Sequence, residues 1–141
     1  MKASSRGLLV FTLQGERYGL SLQDVLEVID PSRPVPVPRA PEFIRGVINV
    51  HGSLVTILDL ARLLACGEAA PAGKFLVLDR RIANLALWVD SVEGFVAEEG
   101  ELGTDSPADE LIAREVRSGT GTIRILALDR IVNRVEETLK R

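Results

Sequence analysis

A mostly β protein built from two small antiparallel barrels is what this sequence predicts, and three observations carry the expectation. Short apolar runs alternate with glycine turns, a knot of prolines interrupts the first half, and the second half repeats the plan of the first.

The chain opens with Leu8-Leu-Val-Phe-Thr-Leu13, the turn Gln14-Gly15 and the alternating Arg17-Tyr-Gly-Leu-Ser21. Strand-forming residues around a glycine turn read as a hairpin. Behind Ser21, a candidate N-cap, Leu22, Val25, Leu26 and Ile29 fall at i, i+3, i+4 and i+7, and Pro31 ends the pattern. This spacing predicts a short helix of about two turns. Five of the seven prolines lie between positions 31 and 41, interleaved with Val35 and Val37. Proline offers no backbone donor, so the segment cannot be a central strand and reads as an extended crossover along a sheet edge. From Phe43 the pattern gives a strand, a tight turn at His51-Gly52, a second strand and a short helix over 60–64. Residues 66–73, rich in Gly and Ala with Pro71, form a connection.

The repeat is the most informative feature. Adding 67 places Leu9, Val10 and Phe11 on Leu76, Val77 and Leu78, Tyr18 and Leu20 on Leu85 and Leu87, and Val25, Val28 and Ile29 on Val92, Phe95 and Val96. Adding 68 places Leu58, Leu60, Arg62, Leu63 and Leu64 on Leu126, Leu128, Arg130, Ile131 and Val132. Each half reads hairpin, short helix, strand, hairpin, helix. Residues 98–110, acidic with Gly, Pro and Ser, read as an exposed loop. Ile131, Val135 and Leu139 at fourfold spacing predict a closing amphipathic helix over 129–141. A half of about 60 residues has a marginal core, and a curled sheet leaves edges that need cover. Two such halves packed together meet both needs, so residues 1–141 are expected to form a single domain with lobes near 8–66 and 74–136. Where their surfaces diverge, a groove suits a partner's helix or strand.

Length and composition bound the function. A chain of 141 residues with 46% hydrophobic and 26% charged residues is a folded domain rather than a disordered segment. A net charge of -3, with no Lys/Arg cluster, removes the electrostatic attraction on which nucleic-acid binding rests. One cysteine, Cys66, allows no internal disulfide, fits a reducing compartment and reads as a small buried hydrophobe. The apolar run behind Lys2 and Arg6 is too short for a signal sequence. Nowhere do about 18 apolar residues run uninterrupted, so any membrane connection is expected to go through a partner.

No catalytic constellation emerges. The single histidine, His51, has no second histidine for a metal pair and sits at a glycine turn, where the neighbouring Ser53 reads as a turn former. Glu98, Glu99, Glu101, Asp105, Asp109 and Glu110 lack the apolar pocket that tunes a catalytic carboxyl. Gly100 to Gly103 and Gly119 to Gly121 lack the lysine and the strand-to-helix context of a phosphate loop. Trp88, inside the apolar run 85–89, reads as core. No enzyme activity, cofactor or metal is expected.

Several stretches together resemble one family: Leu8-Leu-Val-Phe-Thr-Leu13 with Tyr18-Gly19, Val25-Leu-Glu-Val28, Phe43-Ile-Arg-Gly-Val47, Asn49 with Gly52, Ile57-Leu-Asp-Leu60, and Val89-Asp90 with Val92. Over residues 8 to about 136 the chain resembles the CheW-type chemotaxis coupling proteins. The resemblance implies two intertwined five-stranded SH3-like antiparallel barrels and a non-enzymatic adaptor between the cytoplasmic tips of methyl-accepting chemoreceptors and the regulatory domain of a CheA-type histidine kinase. It further implies a cytoplasmic protein recruited to membrane receptor arrays through its partners. A protein that joins unlike partners gains nothing from tight self-pairing, so the isolated chain is expected to be monomeric. By the family pattern, the receptor tip lies between the barrels at positions matching Val25, Glu27, Gly46, Asn49, Val92 and Phe95, with His51 beside them. The kinase docks on barrel ends that the resemblance does not resolve residue by residue.

One departure stands out. Where the family turn usually carries arginine near the glutamate matching Glu27, this chain has His51. A guanidinium stays charged and forks onto a carboxylate, whereas imidazole as a class titrates near about pH 6.5. The contact is expected to be weaker or pH-sensitive here, or the substitution is simply tolerated. Other readings are a coupler for pilus motility, gliding or gene regulation, and a small-molecule-binding double barrel.

Overall fold

The computed structural model describes residues 7–97, 110–118 and 121–139. Ten strands and two helices follow in order: β1 (Gly7–Leu13), β2 (Glu16–Ser21), β3 (Val25–Ile29), β4 (Ile44–Val50), β5 (Ser53–Asp59), α1 (Leu60–Leu63), β6 (Lys74–Leu78), β7 (Leu85–Val89), β8 (Ser91–Ala97), β9 (Ile112–Ser118), β10 (Gly121–Leu126) and α2 (Leu128–Leu139). They form two five-stranded sheets, ordered β8-β1-β2-β10-β9 and β3-β6-β7-β5-β4.

Neither sheet belongs to one half of the sequence. The first takes β1 and β2 from the N-terminal half and β8, β9 and β10 from the other; the second takes the complement. The repeat expresses itself as an exchange. Ile57 faces Ala86 in the parallel β5–β7 pair, and the residues at the repeat offsets, Ile125 and Gly19, face each other in the parallel β10–β2 pair. The expected lobes therefore interlock.

Alternation along the strands sorts side chains into three cores. Leu8 and Val10 pack with Ile123 and Ile125 on one face of the first sheet. Val55, Ile57, Phe75, Val77 and Trp88 do the same on one face of the second. Leu9, Phe11 and Leu13 point the other way, into a shared core with Leu58, Leu76, Leu87, and Ile131 and Val135 of α2. Each sheet thus has its own small core, and the third, the largest, holds the sheets together.

The helix expected over residues 22–29 is not formed. A 3₁₀ turn, Leu22–Asp24, leads into strand β3. A bulge between Val25 and Glu27 sets two residues against one on β6, so Val25 faces Leu78 and Val28 faces Leu76. Residues three apart therefore share a face, and a bulged strand imitates the helical period. Val92 and Phe95 repeat this on β8, facing Phe11 and Leu9 across an equivalent bulge at Glu93 in β8 itself.

Other expectations hold. The proline-rich segment runs along the edge of β4, where Val35 and Val47 exchange two backbone hydrogen bonds of 2.9 Å. Gly46, at the β4 bulge, has φ +140°, and a Cβ there would lie 2.3 Å from the Val35 carbonyl oxygen. Only glycine admits that approach. Residues 98–109, most of the expected acidic loop, fall outside the described residues, as do 140 and 141 at the end of the closing helix. Cys66 is exposed rather than buried. It follows Ala65, whose φ of +60° turns the chain outward after α1.

Asp59 is fully buried at the end of β5. Its carboxylate accepts the N–H of Arg62 at 3.2 Å, capping α1, and the N–H of Ala69 at 3.0 Å, and lies 3.1 Å from Arg45 Nη1. Arg45 also stacks over Trp88, 4.8 Å from the ring centroid, confirming Trp88 as a core residue. The Trp88 indole N–H donates to the carbonyl of Ala70, and the N–H of Ala70 donates to Asp90. The connection over 66–73 is thus held by both its amides and its carbonyls.

Two stability measurements check this account. Asp59→Ala should cost about 3–5 kcal/mol in urea denaturation, because Arg45 is left as a part-buried charge without its partner; a loss under about 1 kcal/mol would show that the carboxylate organises nothing. Gly46→Ala should cost about 1–3 kcal/mol through the close contact with Val35. Gly15→Ala, at φ +85° with no atom within 4 Å of the added carbon, should cost only about 1 kcal/mol from its backbone. Equal losses would remove the contact as the cause.

Candidate functional site

The partner-binding residues expected from the sequence fall into two groups. Val25 and Glu27 lie on β3, Gly46 and Asn49 on β4, and His51 in the β4–β5 turn, all belonging to the second sheet. Val92 and Phe95 lie on β8, at the edge of the first. Strands β3 and β8 are repeat equivalents, and each begins one sheet order as an edge strand. Val25 and Val92 are repeat equivalents too, and both pack against the shared core. The two groups are related through that core, one from each sheet.

Within the first group the contact is direct. His51 Nε2 lies 2.8 Å from Glu27 Oε2, and the side chains are 70% and 31% exposed. Because β3 and β4 are opposite edges in the strand order, this pair spans the two edges of the second sheet. The turn that carries His51 has φ +51° at His51 and +88° at Gly52, between Val50 and Ser53, which pair. Both signs match a two-residue hairpin turn of type I′. Asn49 Oδ1 accepts the Gly52 N–H at 2.9 Å. Gly46 is buried under the proline-rich crossover, so its place in the motif has a packing reason of its own.

The two edge strands also carry exposed apolar residues. Phe95 is 67% exposed and Val96 45%; on the equivalent strand β3, Leu26 is 47% and Val28 39%. The sequence-based set includes Phe95 but not Val28, although the repeat that maps Val28 onto Phe95 was the signal that could have found it. Isolated exposed apolar residues need no explanation, but two matched edge strands that both present them are a surface suited to a polypeptide.

Ordinary catalytic chemistry finds little to work with. Partial burial of the Cys66 thiol, with Asp90 and Asp59 nearby, pushes it up from its ordinary value, and burial does the same to Tyr18. Both shifts favour the protonated form, the reverse of an activated nucleophile. Among the described residues no group of three or more His, Cys, Asp and Glu side chains could hold a metal ion. No helix among the described residues is long and apolar enough to cross a membrane.

Comparison with known proteins accords with this architecture. The family model of the CheW-like domain matches residues 7–136. Chemotaxis protein CheW of Treponema pallidum is 25% identical over 142 residues, covering 92% of this chain and 83% of that protein. Chemotaxis protein CheW of Thermotoga maritima is 23% identical, covering 91% and 88%. Protein FrzA of Myxococcus xanthus is 43% identical over a shorter stretch of 53 residues, 38% of this chain and 33% of that protein. In fold, the crystal structure of the scaffolding protein TtCheW from Thermoanaerobacter tengcongensis superposes with a TM-score of 0.80 at 23% identity, over 90% of this chain and 87% of that one. With interlocked five-stranded sheets along the span that the family model matches, this chain belongs to the CheW-like domain family.

Proposed function

We propose that this chain is a non-enzymatic adaptor of chemotaxis signalling, coupling the cytoplasmic tips of methyl-accepting chemoreceptors to the regulatory domain of a CheA-type histidine kinase. The observation that carries the reading is the CheW-like match over residues 7–136, alongside relatives that bear the name chemotaxis protein CheW. Those names favour this reading over a coupler for another motility or gene-regulatory output.

An adaptor needs no reacting group. Binding two partners at once raises the effective concentration of each for the other and ties their conformational equilibria together. The receptor tip is placed along β3 and β8, with Val25, Val92 and Phe95 as apolar contacts and Glu27, Asn49 and His51 giving register. Apolar anchors supply affinity, and flanking charges supply selectivity and encounter rate. The kinase is placed on barrel-end surfaces. The protein works in the cytoplasm as a monomer and reaches the membrane through the receptor.

Binding of a purified receptor-tip fragment and of a kinase regulatory domain, each measured by calorimetry, tests the proposal. Both should bind the chain, and together they should form a ternary complex. Phe95→Glu should weaken receptor-tip binding by about tenfold or more, since a charge replaces an anchor, and leave kinase binding unchanged. Absence of both interactions would refute the adaptor function. The His51–Glu27 pair yields a second expectation. Arginine keeps its charge at every pH used and an imidazole does not, so His51→Arg should strengthen receptor-tip binding at pH 8 more than at pH 5.5. Equal affinities of the two proteins at both pH values would remove the pair from the interface.

A further inference from the structure

We propose that Asn49 serves the receptor surface as a positioning residue: its side chain fixes the left-handed turn from which His51 reaches Glu27. The inference rests on the adaptor reading for its consequence, though its geometry stands apart from it.

His51 at φ +51° occupies a backbone region that disfavours a residue with a Cβ. Histidine visits it more readily than most non-glycine residues but still needs support. The contact with Glu27 is a poor source of it: with His51 70% exposed, water competes for both partners. The turn must be held by something else, and Asn49 is placed to hold it. Its Oδ1 accepts the Gly52 N–H at 2.9 Å, closing a side-chain turn around His51. The β1–β2 hairpin shows the same need met in another way. Its turn has φ +50° at Gln14 and +85° at Gly15, and the Gln14 N–H is held at 2.7 Å by Asp90 Oδ2 from the other half of the chain. At the β4–β5 turn, the holding oxygen comes from within the hairpin.

The consequence reaches past the turn. Glu27 sits on β3 and His51 beyond the end of β4, at opposite ends of the strand order, so the pair joins the edges of the second sheet. A change at Asn49 would be felt at β3, where the receptor tip is placed, through the His51–Glu27 contact. Its amide oxygen is already engaged by Gly52.

The test uses the full chain, whose single histidine gives one unambiguous set of ring resonances in NMR. In the wild-type background, Glu27→Gln should move those resonances. In an Asn49→Ala background the same substitution should leave them in place, and in an Asn49→Asp background, which restores an oxygen at that position, the response should return. For receptor-tip binding, Asn49→Ala and Glu27→Gln should each weaken affinity about two- to fivefold. The double variant should be no weaker than the more affected single one, and Asn49→Asp should bind within about twofold of wild type. A ring response to Glu27→Gln that persists unchanged after Asn49→Ala, or fully additive losses in binding, would overturn the positioning role. If the wild-type chain binds no receptor tip, the adaptor function fails while the ring response still decides the role of Asn49.

Discussion

A carboxylate with no access to water organises the centre of this protein. Asp59 must satisfy its charge internally, because an ion buried without partners is far too costly to keep. Its donors come from separate places: Arg45 on β4, the first turn of α1 and Ala69 in the long connection. Satisfying one side chain therefore fixes the end of the β4–β5 hairpin, the start of a helix only four residues long and the path by which the chain crosses to its second half. Asp90 repeats the device one residue along, accepting the N–H of Ala70 and of Gln14. Between them, two carboxylates replace the secondary structure that residues 66–73 lack.

That connection matters because of the exchange it permits. Each sheet draws strands from both halves, so neither lobe can close without the other. The shared core of Leu9, Phe11, Leu58, Leu76 and Leu87 is consequently the seam of the molecule, and the edge strands β3 and β8 border it through Val25 and Val92. Strands from both halves thus make that seam common to the two sheets.

Duplication would yield two alike faces, and the sequence breaks that likeness at a few points. The equivalent of Glu27 is Gly94, and the equivalent of Asp59 is Ala127. The Glu27 contact and the buried carboxylate therefore have no counterpart at the equivalent positions, while matched apolar residues remain on both edge strands. Similar backbones thus carry unlike surfaces, as an adaptor for unlike partners requires.

How much of this was legible before any coordinates depends on the range of the interaction. Local chemistry declares itself: Gln14-Gly15 and His51-Gly52 are turns because glycine makes positive φ cheap at the second turn position, the prolines keep residues 31–41 at an edge, and α2 follows from its apolar spacing. The repeat offsets also determined that two β units would share a core. Three things lay outside local pattern and were decided by the tertiary structure, the third of them already implied by the family resemblance. The helix expected over 22–29 is a bulged strand, since a bulge and a helix both bring residues three apart to one face, and only pairing with β6 tells them apart. The carboxylate of Asp59 gathers donors up to 14 positions away in sequence, a convergence no local pattern encodes. The interlocking of the halves was similarly beyond periodicity, because alternation specifies which side chains are buried and is silent on whose strand lies alongside.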